Sequence, residues 1–98
     1  MLCALTVRRL KPGAFDDFRR AWEMESMPPG WSRAYTVRNV QDESEIVSFG
    51  FFDGTLEDLR RSQQEFDYSS QRAQTDELVE STGTDGIFEV VVEVGPGG

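Results

Sequence analysis

Aromatic and arginine side chains alternate at the start of the segment Trp31 to Val40. Trp31, Arg33 and Tyr35 are two residues apart, and residues at that spacing share one face of an extended strand. An aromatic wall with an arginine beside it suits a planar ligand, because rings stack on it and the guanidinium stabilises a phenolate or enolate. We therefore take Trp31, Arg33 and Tyr35 as candidate catalytic residues and add Asn39, whose amide could donate to a bound carbonyl. A packed strand face without chemistry is the competing interpretation.

Four further aromatic residues are candidates for lining the same pocket: Trp22, Phe49, Phe51 and Tyr68. Trp22 falls on a helical apolar stripe, and Phe49 and Phe51 alternate within a strand, so core packing is the alternative for all three. Tyr68 lies at a break between two helical segments, from which it could reach the same cavity.

The 98 residues contain no histidine and one cysteine, Cys3. A Ser-His-Asp or Cys-His nucleophile, a histidine-ligated haem and an imidazole zinc site are therefore excluded. Cys3 has no second cysteine to form an intrachain disulfide, and its apolar neighbours indicate an inert core thiol. Calcium-loop, dinucleotide and Walker motifs are also missing, so we expect neither a metal nor a cofactor.

Acidic residues outnumber basic ones by 18 to 10, which gives a net charge of −8. Lys11 is the single lysine. Nucleic acids and acidic membranes attract basic surfaces, so we expect neither as a partner. No apolar run reaches the roughly 20 residues of a membrane-spanning helix, and no signal sequence is recognisable. These features predict a cytoplasmic protein.

Hydrophobic periodicity predicts the first elements that must position these residues. Leu2 to Leu10 alternates like a strand, and Cys3, Leu5 and Val7 are expected to face the helices while Thr6 and Arg8 lie on the opposite face. After a Lys-Pro-Gly turn the period becomes helical, and a helix is predicted to end near Glu25. The hairpin that follows is predicted from strands at Trp31–Val40 and Ile46–Phe52.

The second half repeats the pattern of helix and strand. Thr55 and Asp58 resemble a capping box at the start of a helix. A weaker helix is predicted from Ser69 or Ser70 to about Ser81, and residues 82–86 have turn chemistry. Alternating valines predict a strand from Ile87 to Val94, followed by a flexible tail at residues 95–98.

The resulting order is βαββαβ, which predicts an α+β, ferredoxin-like protomer with a four-stranded antiparallel sheet. Residues 1–94 are expected to form one domain. Folding a chain of this size buries only about 65% of its surface, so a second copy would add useful burial.

Three segments carry a resemblance to a known family: the Lys11-Pro12-Gly13 turn, the helix start Ala14-Phe15-Asp16-Asp17-Phe18, and the closing segment from Asp85 to Val90. With them the chain resembles the antibiotic biosynthesis monooxygenase-like group of the dimeric α+β barrel superfamily. The resemblance implies a homodimer whose two sheets face each other as a barrel, tied by the last strand or tail. It also implies a small cavity between the helices and the sheet of each protomer.

Proteins of the group that this chain resembles have several different activities. The group includes haem-degrading enzymes, which use a histidine ligand that is absent here, and cofactor-independent oxygenases of aromatic phenols, which tend to place an asparagine on the first strand. Asn39 is the single asparagine, and it lies on the second predicted strand. Three hypotheses follow: a homodimer that binds a small apolar or aromatic molecule, a cofactor-independent monooxygenase of an aromatic or polyketide-like phenol, and a purely structural dimerisation module.

Overall fold

The structure is a computed structural model that describes residues 1–23 and 27–96, with the Tyr68 side chain outside the described part. Within these ranges the chain forms four strands and three helices in the order β1 (Leu2–Leu10), α1 (Phe15–Trp22), β2 (Trp31–Asn39), β3 (Asp42–Phe52), α2 (Leu56–Glu65), α3 (Tyr68–Asp76) and β4 (Val79–Glu89).

The strands form one antiparallel sheet in the order β2-β3-β1-β4. β2 and β3 make the expected hairpin, and β1 lies between β3 and β4. The predicted α+β, ferredoxin-like fold is confirmed, with its second helical region divided into α2 and α3. None of the helices in the described ranges has both the length and the apolar character needed to cross a bilayer.

The core lies between the helices and one face of the sheet. Leu10, Ala14, Phe18 and Ile46 form its centre, and Phe18 is fully buried. The buried residues of β1 are Thr6, Arg8 and Leu10, all even-numbered, and Arg8 pairs with Ile46. The predicted assignment of faces is therefore wrong.

Strand register explains the reversal. The odd-numbered residues Cys3, Leu5 and Val7 lie beside Phe51, Phe49 and Val47 on the face away from the helices, because directly paired residues share a face. That face is largely apolar too. Hydrophobicity along β1 alone therefore does not distinguish the two faces.

Two helix ends differ from expectation. α1 ends at Trp22 because Glu23 is already extended (φ −68°, ψ 124°), and Glu25 lies outside the described residues. α3 ends at Asp76, before the predicted Ser81.

The capping box of α2 is confirmed: the Asp58 backbone N–H donates to the Thr55 hydroxyl at 3.1 Å, and the Thr55 N–H donates to the Asp58 carboxylate at 3.2 Å.

β4 starts eight residues before the predicted Ile87 and ends at Glu89, not Val94. Its pairing with β1 overrides the turn chemistry of residues 82–86, with register shifts at Val7/Arg8 and Arg9/Leu10. The last residue of β4, Glu89, pairs with Leu2, the first residue of β1. One further hydrogen bond joins the two segments, from the Val90 N–H to the Met1 carbonyl at 3.0 Å. The valines beyond this point lie outside the strand and are exposed: Val91, Val92 and Val94.

Candidate ligand cavity

A cavity of about 930 Å³ lies between the helices and the inner face of the sheet. The sheet contributes its floor through small side chains, among them Ala4, Thr6 and Ala34, and α1 contributes Phe15 and Trp22 to its wall. This volume is within the range of small-molecule sites, about 300–1,000 Å³. The cavity is the candidate functional site.

Gly50 makes room for Trp31 over the floor. A Cβ atom at Gly50 would lie 3.2 Å from the Trp31 ring and 3.5 Å from Ala34 Cβ. Contacts at 3.2 Å are tight, so a larger residue at this position would displace the indole. The glycine therefore lets the ring lie close to the sheet backbone.

Trp31 is held from two sides. Its indole N–H donates to the Ser62 hydroxyl of α2 at 3.1 Å, and its ring meets Phe52 edge-on with centroids 5.1 Å apart. The polar end of the indole is thus satisfied within the protein. A ligand that contacts Trp31 in the cavity meets an aromatic surface that is already oriented.

The sequence-predicted cluster is divided between the two faces of the sheet. A register shift separates Trp31 from Arg33, so Trp31 reaches α2 while Arg33 pairs beside Phe51. Tyr35 lies 5.3 Å from Phe49 between ring centroids. The expectation that Trp31, Arg33 and Tyr35 share a face is wrong, because a β-bulge breaks the alternation of side chains.

Asn39 lies at the far end of the hairpin and is not among the cavity-lining residues. Its amide nitrogen donates to the Glu45 carboxylate at 3.0 Å, and its carbonyl oxygen accepts from the Gln41 N–H at 2.8 Å. These bonds hold the β2–β3 turn. The structure gives Asn39 a turn-forming position away from the cavity.

The four residues predicted to line the pocket do not lie together in the structure. Trp22 lines the cavity. Phe49 and Phe51 contact each other edge-on, 5.9 Å between centroids, on the face away from the helices. Phe49 and Tyr35 border the cavity as strand residues, but side-chain alternation directs their rings to the other face. The Tyr68 side chain lies outside the described part of the structure.

Two arginines that the sequence did not select as site residues, Arg38 and Arg72, line the cavity wall. The Arg38 guanidinium lies over the Phe15 ring, 4.3 Å from its centroid. Arg72 of α3 pairs with Asp85 of β4, and both line the cavity. The alternation of Ala34, Thr36 and Arg38 could have placed Arg38 there, had the bulge after Trp31 been recognised. The pairing of Arg72 with Asp85 leaves no local sequence signal.

Arg8 lies beneath the same helices and is 2% exposed. Its Cζ is 5.7 Å from the centroid of the Trp22 ring. Its three guanidinium nitrogens are buried and have no hydrogen-bond partner in the described part of the chain. A buried cation in this state lacks the compensation that buried charges normally have.

Ionisation outside the cavity follows local contacts. Burial raises the pKa of the Cys3 thiol, which favours the unreactive protonated form. The hydrogen bond from Arg9 lowers the pKa of Asp42, with which it pairs at 2.8 Å. Among the described residues, no group of three or more potential metal ligands occurs.

Comparison with solved structures places this architecture among known folds. A candidate antibiotic biosynthesis monooxygenase from Chloroflexus aurantiacus has a TM-score of 0.75 and 19% identity, over 99% of this chain and 96% of that chain. One from Nitrosomonas europaea has a TM-score of 0.77 and 17% identity, over 94% of this chain and all of the other. The chain has the fold of the antibiotic biosynthesis monooxygenase-like proteins.

SnoaB from Streptomyces nogalater, a cofactor-independent oxygenase, shares this antibiotic biosynthesis monooxygenase-like fold with a TM-score of 0.74 and 14% identity, over 95% of each chain. No protein-family model matches the chain, and no curated protein matches it in sequence. The predicted resemblance is thus confirmed for the fold.

Proposed function

We propose that the cavity binds a planar aromatic small molecule. The observation that carries this proposal is a cavity of about 930 Å³ whose walls include Trp22, Trp31 and Phe15. Aromatic pairs contribute about 0.5–1.5 kcal/mol beyond the area that they bury. A planar ring system therefore gains more from these walls than an aliphatic molecule of equal size.

The orientation of Trp31 supports the same ligand class. Its N–H is bound to Ser62 and its ring is braced by Phe52, so little side-chain entropy is lost when a ligand packs against it. Pockets that bind small molecules are typically apolar with a few polar groups, and Thr6, Thr36 and Ser48 supply hydroxyls to this floor.

We further propose that the functional unit is a homodimer of single-domain protomers, formed through the face of the sheet away from the helices. Tyr35 and Val37 are each 44% exposed there, and Phe88 is 47% exposed. Exposed apolar surface of this kind is typical of interfaces. The exposed valines after β4 provide a segment that a second copy could pair with. The single cysteine, Cys3, is compatible with the cytoplasm, where we place the dimer.

A cofactor-independent monooxygenase is the second candidate, favoured by the fold shared with SnoaB. In that reaction an anthrone-type methylene loses a proton, and the enolate reacts with dioxygen to form a carbon–oxygen bond. The resulting peroxide anion takes up the released proton and becomes a hydroperoxide. Loss of its remaining C–H proton breaks the O–O bond and releases hydroxide, which combines with that proton, so the products are a carbonyl and one water. Arg38 in the cavity wall would stabilise the enolate.

A binding titration tests the primary proposal. Tryptophan fluorescence is followed while anthracene-2-carboxamide is added to the protein. We expect saturable quenching, and a loss of affinity of about tenfold in Ala34→Leu, which adds volume to the cavity floor. Val37→Leu on the opposite face is the matched control and should bind as the natural sequence does.

Two other results would redirect the assignment. Lack of quenching in both the natural chain and the control would leave a structural dimerisation module as the better account. Oxygen uptake with anthrone above the buffer rate, abolished by Ala34→Leu and kept by Val37→Leu, would establish the monooxygenase.

A further inference from the structure

Charge is distributed unevenly between the cavity and the rest of the chain. With one lysine among 10 basic residues, the chain has nine arginines, and four of them line the described cavity wall: Arg19, Arg38, Arg60 and Arg72. Of the 18 acidic residues, two lie on the same described wall, Glu23 and Asp85. A chain of net charge −8 therefore has a cavity lining with more cations than anions.

We propose that the ligand is an aromatic anion, a planar ring system that carries an ionised carboxylate or phenolate. This inference rests on the proposed function, because it names the class of molecule that the same cavity takes. Negative charge elsewhere on the protein repels such a ligand, so the local excess of arginine is needed to bring it into this cavity.

The excess cations are identifiable from their contacts. Arg19 pairs with Glu23 at 3.4 Å, and Arg72 pairs with Asp85, so those charges are largely compensated. Arg38 and Arg60 form no ion pair with a carboxylate in the described ranges. Arg38 is also positioned by its contact with the Phe15 ring, where it can meet an anionic group on a ligand that packs against the same aromatic wall.

The buried Arg8 is an independent observation that indicates the same sign of ligand charge. Its guanidinium contacts the ring of Trp22, and Trp22 lines the cavity. Because Arg8 is removed from water, its positive field is weakly screened. An anion in the cavity would provide compensation that Arg8 does not receive from hydrogen bonds within the described chain.

The test compares two probes of nearly equal shape. Anthracene-2-carboxylate and anthracene-2-carboxamide are titrated into the full chain at pH 7 and low salt. The carboxylate is expected to bind about tenfold more tightly, and the ratio should fall when ionic strength is raised to about 0.5 M, because salt screens charge. Arg38→Gln and Arg60→Gln should each reduce the ratio by about threefold or more.

Arg61→Gln is the matched control. Arg61 lies next to Arg60 on α2 but does not line the cavity, and it pairs with Asp58 at 3.5 Å. The Arg61→Gln substitution removes the same charge as Arg60→Gln and should leave the ratio of the two affinities unchanged. If Arg61→Gln lowers the ratio as much as Arg60→Gln does, general electrostatic attraction accounts for the preference and the proposal is overturned.

The remaining outcomes distinguish the negative charge of the ligand from the binding of an aromatic molecule in the cavity. Equal affinity for both probes, or a preference for the carboxamide, overturns the anionic ligand and leaves the aromatic cavity in place. Binding of neither probe overturns both proposals.

Discussion

The Arg8 guanidinium lies 5.7 Å from the centre of the Trp22 ring and has no hydrogen-bond partner in the described chain. One side chain is thus a buried cation, and the other lines the cavity that we propose as the ligand site. In that proposal, the contact links the stability of the fold to the charge of the ligand. Replacement of Arg8 by an apolar residue should consequently raise the stability of the ligand-free protein and lower its affinity for an anionic ligand.

Arg8→Met is expected to stabilise the ligand-free protein by about 1–3 kcal/mol, because it removes a poorly compensated buried charge and keeps an unbranched apolar stem. Urea unfolding measures the change. Arg9→Met, on the neighbouring residue that pairs with Asp42 at the surface, is the control and should change stability little. A strongly destabilised Arg8→Met protein would show that the natural guanidinium is compensated.

Gly50→Ala should weaken binding of anthracene-2-carboxylate by about threefold or more, because the added methyl group displaces the Trp31 ring. Fluorescence titration measures the affinity. Gly83→Ala is the control, since its Cβ would meet only the Val7 carbonyl at 3.8 Å, an ordinary contact. Unchanged affinity in Gly50→Ala would mean that the position of Trp31 does not determine binding.

Thr55→Ala should destabilise the fold by about 1 kcal/mol through loss of the N-cap of α2. Hydrogen bonds from Thr55 also lower the pKa of Asp58 below its ordinary value of 3.8. A lowered pKa in the folded state stabilises the protein above pH 3.8, and this contribution is lost as pH falls through the folded pKa.

Asp58→Asn should accordingly flatten the acid limb of a plot of unfolding free energy against pH. Asp53→Asn, at a carboxylate outside the capping box, is the comparison. An equal change in acid sensitivity in both variants would contradict the role of the capping box.

The natural chain should have twice the protomer mass of 11.1 kDa by light scattering. Val37→Asp places a charge on the proposed interface and is expected to give a folded monomer, as judged by circular dichroism. Val40, in the turn between β2 and β3, is 99% exposed, and the Val40→Asp protein should remain dimeric. A natural chain that remains an 11.1 kDa monomer at micromolar concentration would disprove the barrel.

Local patterns were sufficient for the elements and their order. The Thr55–Asp58 box, the apolar stripe of α1 and the hairpin all depend on residues close in sequence. From these the ferredoxin-like order could be predicted, whereas the cavity between helices and sheet was implied by the family resemblance.

The remaining features depend on contacts between distant segments. The extent of β4 follows from pairing with β1, and the bulge after Trp31 moves Arg33 and Tyr35 to the other face. The burial of Arg8 contradicts the usual preference of arginine for the surface, so polarity alone predicted the wrong face. Local periodicity contains none of this information.

The most direct test of the proposed ligand site is to determine which of the two faces of the sheet a bound ligand contacts. Intermolecular nuclear Overhauser effects are measured between the ring protons of anthracene-2-carboxylate and assigned aromatic protons of the protein. We predict contacts to Trp31 and Phe15 in the cavity and none to Tyr35 on the opposite face. Contacts to Tyr35 without contacts to Trp31 would contradict a ligand site between the helices and the sheet.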